Sequence, residues 1–372
     1  AYLKDFDRQP LLLKEASFDG PVMEVADLEL DGLEDIIIGG DAGQATSIWQ
    51  QQKDGSFQQL PIPVFEADKS SADSDIAMLD ANKDGHLDIY VASGGYHSFR
   101  ADHPALQDRL YLSDGKGGYT KSSLPSFPIC TGAVAVADVN GDGHEDIFVG
   151  ADGVPGRYPE HPNSILLIND GKGSFTDQIG SFSQELQEAG LVTDAVFADL
   201  NQDGQEELII VGEWMPIRIF SLENKQMVEM TDRYLDKSYS GLWNCIEVAD
   251  LNNDNRPDLL VGNLGTNHQL SASDNTPLEL FYDDFDENGS VDPLVSYYVQ
   301  GKSYPDITRD ELLRQLGGLR ATFTSYESYA DVSLSDAIGK NRLKKAEYLT
   351  INHLSTSLFL SQEDGTFFLA KL

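Results

Sequence analysis

Six times the chain places oxygen-bearing side chains at positions 1, 3, 5 and 9 of a nine-residue stretch. The sets are Asp27, Glu29, Asp31 and Asp35; Asp80, Asn82, Asp84 and Asp88; and Asp138, Asn140, Asp142 and Asp146. They continue as Asp199, Asn201, Asp203 and Glu207; Asp250, Asn252, Asp254 and Asp258; and Asp284, Asp286, Asn288 and Asp292. Position 7 can add a backbone carbonyl, so each stretch offers the six to eight hard oxygens at about 2.3–2.6 Å that calcium takes. Position 6 is Gly in five copies and Asn255 in the fifth, the residue types that tolerate the positive φ of a tight wrap. Such residues also favour empty turns. Three carboxylates on one short loop, however, repel one another unless a cation lies between them. Calcium in several structural sites is therefore the expectation.

The elements that must hold these loops are strands. An EF-hand needs flanking helices and a Glu at position 12, whereas position 12 is Val91 in the second copy and Val149 in the third, inside short β-branched runs. Each loop thus reads as a hairpin between two apolar strands, as in VADVNGDGHEDIFVGAD over 136–152. A second hairpin recurs between the loops, seen in SIWQQQKDGSFQQL, DRLYLSDGKGGYTKSSL, SILLINDGKGSFTDQI and SLFLSQEDGTFFLAKL. Four strands per unit, and first-Asp positions at 27, 80, 138, 199 and 250, predict an all-β chain, a β-propeller of four-stranded blades. The step to 284 is short, so the fifth or sixth unit is expected to be abbreviated or shared. Six blades are readable over a single domain, 1–372. A seventh would need residues 1–20 with C-terminal strands. Residues 306–345 break the pattern: Thr308 with Glu311 forms a capping box, and Leu312, Leu316, Leu319 and Phe323 follow at helical spacing. A small helical insertion is expected there. The basic cluster Lys340, Arg342, Lys344 and Lys345 is expected to neutralise nearby carboxylates.

Composition narrows the partners. The 372 residues carry 62 Asp and Glu against 26 Lys and Arg, a formal net charge of −36. That excess argues against nucleic acid and against an anionic membrane surface. No apolar run reaches the roughly 20 residues of a spanning helix. Nineteen of the acids occupy the loop positions, and six divalent cations would bring the formal charge from −36 to −24. Cys130 and Cys245 are too few for a disulfide framework and read as two buried thiols. The chain starts at Ala1 without an initiator Met and reads as a processed or trimmed form.

These repeats resemble the FG-GAP/VCBS calcium-binding repeats of integrin α-subunit propellers. More narrowly, LQDRLYLSDGKGGY (106–119), VGEWMPIRIF (211–220) and the region 284–316 resemble secreted bacterial VCBS-repeat proteins linked to ASPIC/UnbV-type domains, relatives of cartilage acidic protein. The resemblance implies the propeller fold, calcium and export to an extracellular, periplasmic or cell-surface location. It implies no settled activity. No ASPIC/UnbV-like domain is visible, so further domains of a longer chain are expected partners.

The acidic loops are expected to rigidify one face and leave the opposite face to recognition. Long loops there (94–109, 151–164, 212–216 and 262–275) carry Tyr96, His97, Arg100, His103, Arg157, Tyr158, His161, Trp214 and His268 as candidate ligand-binding residues. The expected function is a secreted or cell-surface ligand-binding or adhesion module for glycan or protein. The alternative is a polysaccharide lyase or hydrolase on the same face, with Tyr158 or a His as base and Arg157 meeting a uronate. No H-E-x-x-H, G-x-S-x-G, P-loop or dinucleotide fingerprint supports an enzyme.

Overall fold

The computed structural model describes residues 5–14, 20–96 and 99–371. Alternating β-branched and aromatic runs interrupted by Asp-Gly turns fold into six four-stranded antiparallel units, the fourth and fifth joined into one eight-stranded sheet where Glu213–Pro216 pair with Ser240–Leu242. The first blade comprises Met23–Ala26, Asp35–Ile38, Ser47–Gln51 and Phe57–Leu60. The second (Ala72–Leu79, Asp88–Gly94, Arg109–Ser113, Tyr119–Ser122) and the third (Thr131–Ala137, Asp146–Ala151, Ile165–Asn169, Phe175–Asp177) repeat it. The fourth comprises Leu191–Ala198, Glu207–Pro216, Arg218–Glu223 and Gln226–Glu229. In all four, strands pair in chain order, and the acidic loop joins the first strand to the second.

The fifth blade explains the short step before position 284. Its first two strands are Ser240–Ala249 and Asp258–Asn263, but its outer two are Ser357–Ser361 and Phe367–Ala370, at the far end of the chain. The sixth sheet (Leu278–Asp283, Asp292–Val299, Lys302–Pro305, Glu347–Ile351) is inserted between them, with its last strand paired to its first. The expected helices lie inside that insert. Arg309–Gln315 starts at Thr308 with the capping box formed, and Leu334–Ile338 and Lys340–Leu343 follow. Their apolar side chains Leu312, Leu316, Leu334 and Ile338 pack with Phe285 and Leu294 of the sixth sheet and with Leu11. From the basic cluster, Arg342 donates to the Phe285 carbonyl within the sixth acidic loop.

Each successive pair of blades encloses its own core. Ile37 and Ile48 meet Ile89 and Tyr111, and Tyr90 and Leu110 meet Ile147 and Leu167. Further round, Phe148 meets Leu208 and Phe220, and Val211 meets Trp243 and Phe359. Buried carboxylates staple these joints. Asp75 accepts from the Val134 backbone N–H of the next blade at 2.8 Å, and Asp194 accepts from Ile246 N–H at 2.7 Å. Both thiols are free, and only Cys130 is buried. Cys245 is exposed instead, on the side of the fifth blade away from the core that Ile246 shares with the fourth. Among the described residues, no helix is long and apolar enough to cross a membrane.

Candidate functional site

Six acidic loops repeat one geometry. The position-1 carboxylate accepts from the backbone N–H groups of positions 5 and 6. In the second loop Asp80 takes Asp84 at 3.1 Å and Gly85 at 2.9 Å, and in the sixth Asp284 takes Asn288 at 2.8 Å and Gly289 at 2.7 Å. The same pair recurs at Asp27, Asp138, Asp199 and Asp250. Position 6 has the expected positive φ throughout, including Asn255 at 63°. Position 9 ties the loop to the blade's third strand. Asp88 is fully buried and accepts from Ala81 N–H at 3.0 Å and Ser113 N–H at 2.7 Å, and Asp258 reaches Ser361 N–H at 2.9 Å. Asp35 and Asp146 accept from Gln51 and Asn169 N–H in the same way, and Glu207 accepts from the Ser221 hydroxyl. Burial, reinforced by neighbouring loop carboxylates, pushes Asp88, Asp146 and Asp292 up to about 6. Such carboxylates favour a proton or a cation beside them.

In the sixth loop, alone among the described residues, three carboxylates converge closely enough to fit a hard cation. In the sixth loop Asp284, Asp286 and Asp292 each bring an oxygen within 4.8 Å of the others. The position-3 groups sit at the rim of their loops. Asn82, Asn140 and Asn201 accept from the N–H of position 5, and Glu29 accepts from Gln50. Asp31, Asp142, Asp203, Asn252 and Asp254 complete the sets, and Asn288 accepts from Ser290 N–H at 2.8 Å. One expectation is corrected. Five loops share one end of their blades, but the sixth lies at the opposite end, where its Gly289 carbonyl meets Arg157 and its Val291 carbonyl accepts from Gln9. The insertion carries it there.

At that opposite end a cavity of about 540 Å³ opens where the innermost strands of five blades converge. Bulges shape it. Register shifts leave Ser74, Gly132, Thr193 and Asn244 unpaired on four consecutive innermost strands, and all four line the cavity, with Pro21 at the same offset in the first blade. Bulges re-aim side chains in this way beside binding sites. Asp41, Asp73 and Asp152 also line it. Asp73 is locked by Arg109 at 2.7 Å and accepts from Gly40 N–H and Thr46 Oγ1 of the first blade. A second cavity of about 470 Å³ adjoins it across Lys14 and Asn244, lined by Leu242, Leu264, His268 and Leu270.

The candidate ligand residues divide into two groups. Tyr96, Tyr158 and Trp214 come together, Tyr96 buried in the wall of the larger cavity, Tyr158 half-buried and Trp214 buried. Gln9 accepts from the Tyr96 hydroxyl and donates to the Tyr158 carbonyl at 2.7 Å, while Trp214 Nε1 donates to Tyr158 Oη at 2.6 Å. Tyr158 Oη donates in turn to Glu213 at 2.7 Å, which pairs with Lys14 at 2.8 Å. Burial and the Glu213 carboxylate raise the Tyr158 hydroxyl well above its ordinary value, the reverse of what a general base needs. The others stand in separate local contacts. His103 accepts from Ala105 N–H and stacks on Phe99, and Arg157 pairs with Glu160. His161 is exposed beside the Pro162 carbonyl, His268 bridges Gly265 and Leu270, and Arg100 is exposed. His97 lies outside the described residues.

Sequence reasoning missed the bulged residues and the N-terminal segment. The signal for the first was present: Ser74, Gly132, Thr193 and Asn244 each stand six residues before the first Asp of their loop. Gln9 and Lys14 carried no such mark.

Comparison with known proteins places the repeats. An FG-GAP-like repeat model matches residues 27–91 and 199–261, and an FG-GAP repeat model matches residues 131–163. No curated protein matches the chain by sequence. Among solved structures, it is similar to an Agrocybe aegerita lectin described as recognising non-reducing terminal N-acetylglucosamine. That match has 16% identity over 90% of this chain and 72% of the lectin, at a TM-score of 0.43. BBS1N, solved in complex with ARL6DN, is similar at 10% identity over 76% of this chain and 78% of that one, at a TM-score of 0.39. FG-GAP-type repeat models thus match three stretches between residues 27 and 261, and the four-stranded antiparallel sheets are those of a β-propeller.

Proposed function

We propose that the protein is an exported, calcium-stabilised propeller that binds a glycan in the cavity opposite its five aligned acidic loops. The observation that carries this reading is the cavity itself. Four blades build it with the same backbone bulge at the same repeat offset, and its volume of about 540 Å³ lies within the roughly 300–1,000 Å³ of small-ligand sites. Its walls offer Asp41, Gln44, Asp152, Thr193 and Asn244, groups that accept from and donate to sugar hydroxyls. Lys14 is the one cationic residue on the described lining, and it is paired with Glu213. The class favoured is therefore a neutral or amine-bearing sugar rather than a uronate. Calcium in the loops would fix the ends of the first and second strands, and with them the bulges that shape the cavity. A millimolar-calcium environment outside the cytoplasm suits such sites.

Crystals grown with calcium and soaked in neutral and amino-sugar oligosaccharides test the reading. Sugar density against Asn244 and Asp152 is the expected result. Sugar bound elsewhere, or a protein ligand on a different face, would overturn it.

A further inference from the structure

The sixth acidic loop is held differently from the other five. In each loop one oxygen of the position-9 carboxylate accepts from the backbone N–H of position 2, as Asp88 does from Ala81 and Asp292 from Phe285. In the five loops of the ring, the other oxygen is taken by the third strand of the same blade. Gln51, Ser113, Asn169 and Ser361 offer backbone N–H groups there, and Ser221 a hydroxyl. The sixth sheet has no residue in that place. Its strand Lys302–Pro305 pairs with Asp292–Val299 only as far as Ser296, opposite Pro305, and the chain then turns into the helical insert. The second oxygen of Asp292 accepts instead from the side chain of Gln315, the last residue of the helix Arg309–Gln315.

The rest of the loop is also gripped from outside its sheet. Phe285, at position 2, is buried among Leu312, Leu316, Leu334 and Ile338 of the insert, and its carbonyl accepts from Arg342 at 3.3 Å. The Val291 carbonyl, at position 8, accepts from buried Gln9 at 3.2 Å. Asp284, Asp286 and Asp292, whose oxygens converge within 4.8 Å, are therefore kept in place by the insert and the N-terminal segment.

We propose that Gln315 is a positioning residue for a divalent cation at the sixth loop, and that cation binding there is linked to docking of the helical insert. The proposal rests on the calcium half of the function proposed above. A ligating carboxylate is oriented by the donors that hold it, and losing such a donor costs metal affinity about 10–100-fold. Linkage is reciprocal: whatever the docked helices add to cation affinity, the cation returns as stability of the docked helices. The five loops of the ring are braced by their own blades, so their cations stabilise blades, whereas this one fastens the insert.

Hydrogen–deuterium exchange over residues 309–343, followed as the 372-residue chain is titrated with calcium, tests the proposal. Calcium is expected to slow exchange in the parent insert by about tenfold or more. Asp286→Ala, which removes an exposed carboxylate of the sixth loop, should abolish that response while the strands of the ring still respond. Gln315→Met should raise the calcium midpoint of insert protection about tenfold or more and leave the midpoint of the ring strands unchanged. A Gln315 that serves packing alone would weaken the insert equally with and without calcium, at an unchanged midpoint, and that result overturns the proposal. So does insert protection that responds to calcium alike in the parent and in Asp286→Ala while the ring strands respond. If Gln315→Met does not fold, the comparison of the parent with Asp286→Ala decides. No calcium by elemental analysis and no response in any strand would defeat the calcium reading itself, and this inference with it.

Discussion

At the scale of single residues, the loop positions separate into two kinds. Asp88 is a structural acceptor as well as a donor to any cation, since both its oxygens meet buried backbone N–H groups. Asp84 sits exposed at the loop rim. Asp88→Ala leaves two buried donors unsatisfied and should cost about 2–5 kcal/mol in chemical denaturation, with or without calcium. Asp84→Ala should change stability by less than about 0.5 kcal/mol in chelator, and measurably more in millimolar calcium. An equal effect of Asp84→Ala under both conditions would remove the cation from the account. This division was only half legible in the sequence. The spacing of Asp80, Asn82, Asp84 and Asp88 marked them as one oxygen set, but Ala81 and Ser113, the partners that make position 9 structural, carry no side-chain signature. Tyr158 and Trp214 were legible only as aromatics near the binding end: the partners that engage them, Gln9 and Glu213 on Tyr158 and Tyr158 Oη on Trp214, are distant in sequence.

At the scale of elements, the joints between blades set the pH response. Desolvation in the joint pushes Asp75 up from its ordinary 3.8 to about 7. The folded state therefore binds a proton that the unfolded chain has released. Its contribution is fully present below about pH 4 and is lost as pH rises towards 7. Asp75→Asn keeps an oxygen for Val134 N–H and removes the titration. The variant should lose less stability than the parent between pH 5 and 8, measured by denaturant titration at each pH. An unchanged slope would mean that the carboxyl titrates normally. Trp243, fully buried between the fourth and fifth blades, should cost about 3–5 kcal/mol as Trp243→Ala. Strands and acidic hairpins were legible at this scale because alternation and Asp-Gly turns are local. The fifth blade was not. Its halves are split by the residues between Asn263 and Ser357, and the spacing recorded only that something was shared. The capping box at Thr308 located a helix correctly, since that signal too is local.

At the scale of the whole molecule, the charge of −36 ceases to be a bulk property. Much of it is concentrated in loops at one end of the ring, with the sixth loop carried to the other end by the insert. Cations held only by the folded state would stabilise it by mass action, so chelation should lower the melting temperature and millimolar calcium should restore it. Elemental analysis showing no calcium, with melting unchanged by chelator, would contradict that prediction. The other end of the molecule carries the binding claim. Asn244 is exposed and lines both cavities, so Asn244→Trp should obstruct the site with little effect on folding, within about 0.5 kcal/mol. The most direct test is a glycan array probed in calcium with the parent and with Asn244→Trp. The account predicts binding of neutral or amino sugars by the parent and at least a tenfold loss in the variant, about 1.4 kcal/mol. Equal binding by the two proteins, or preferential binding of uronates, would contradict it.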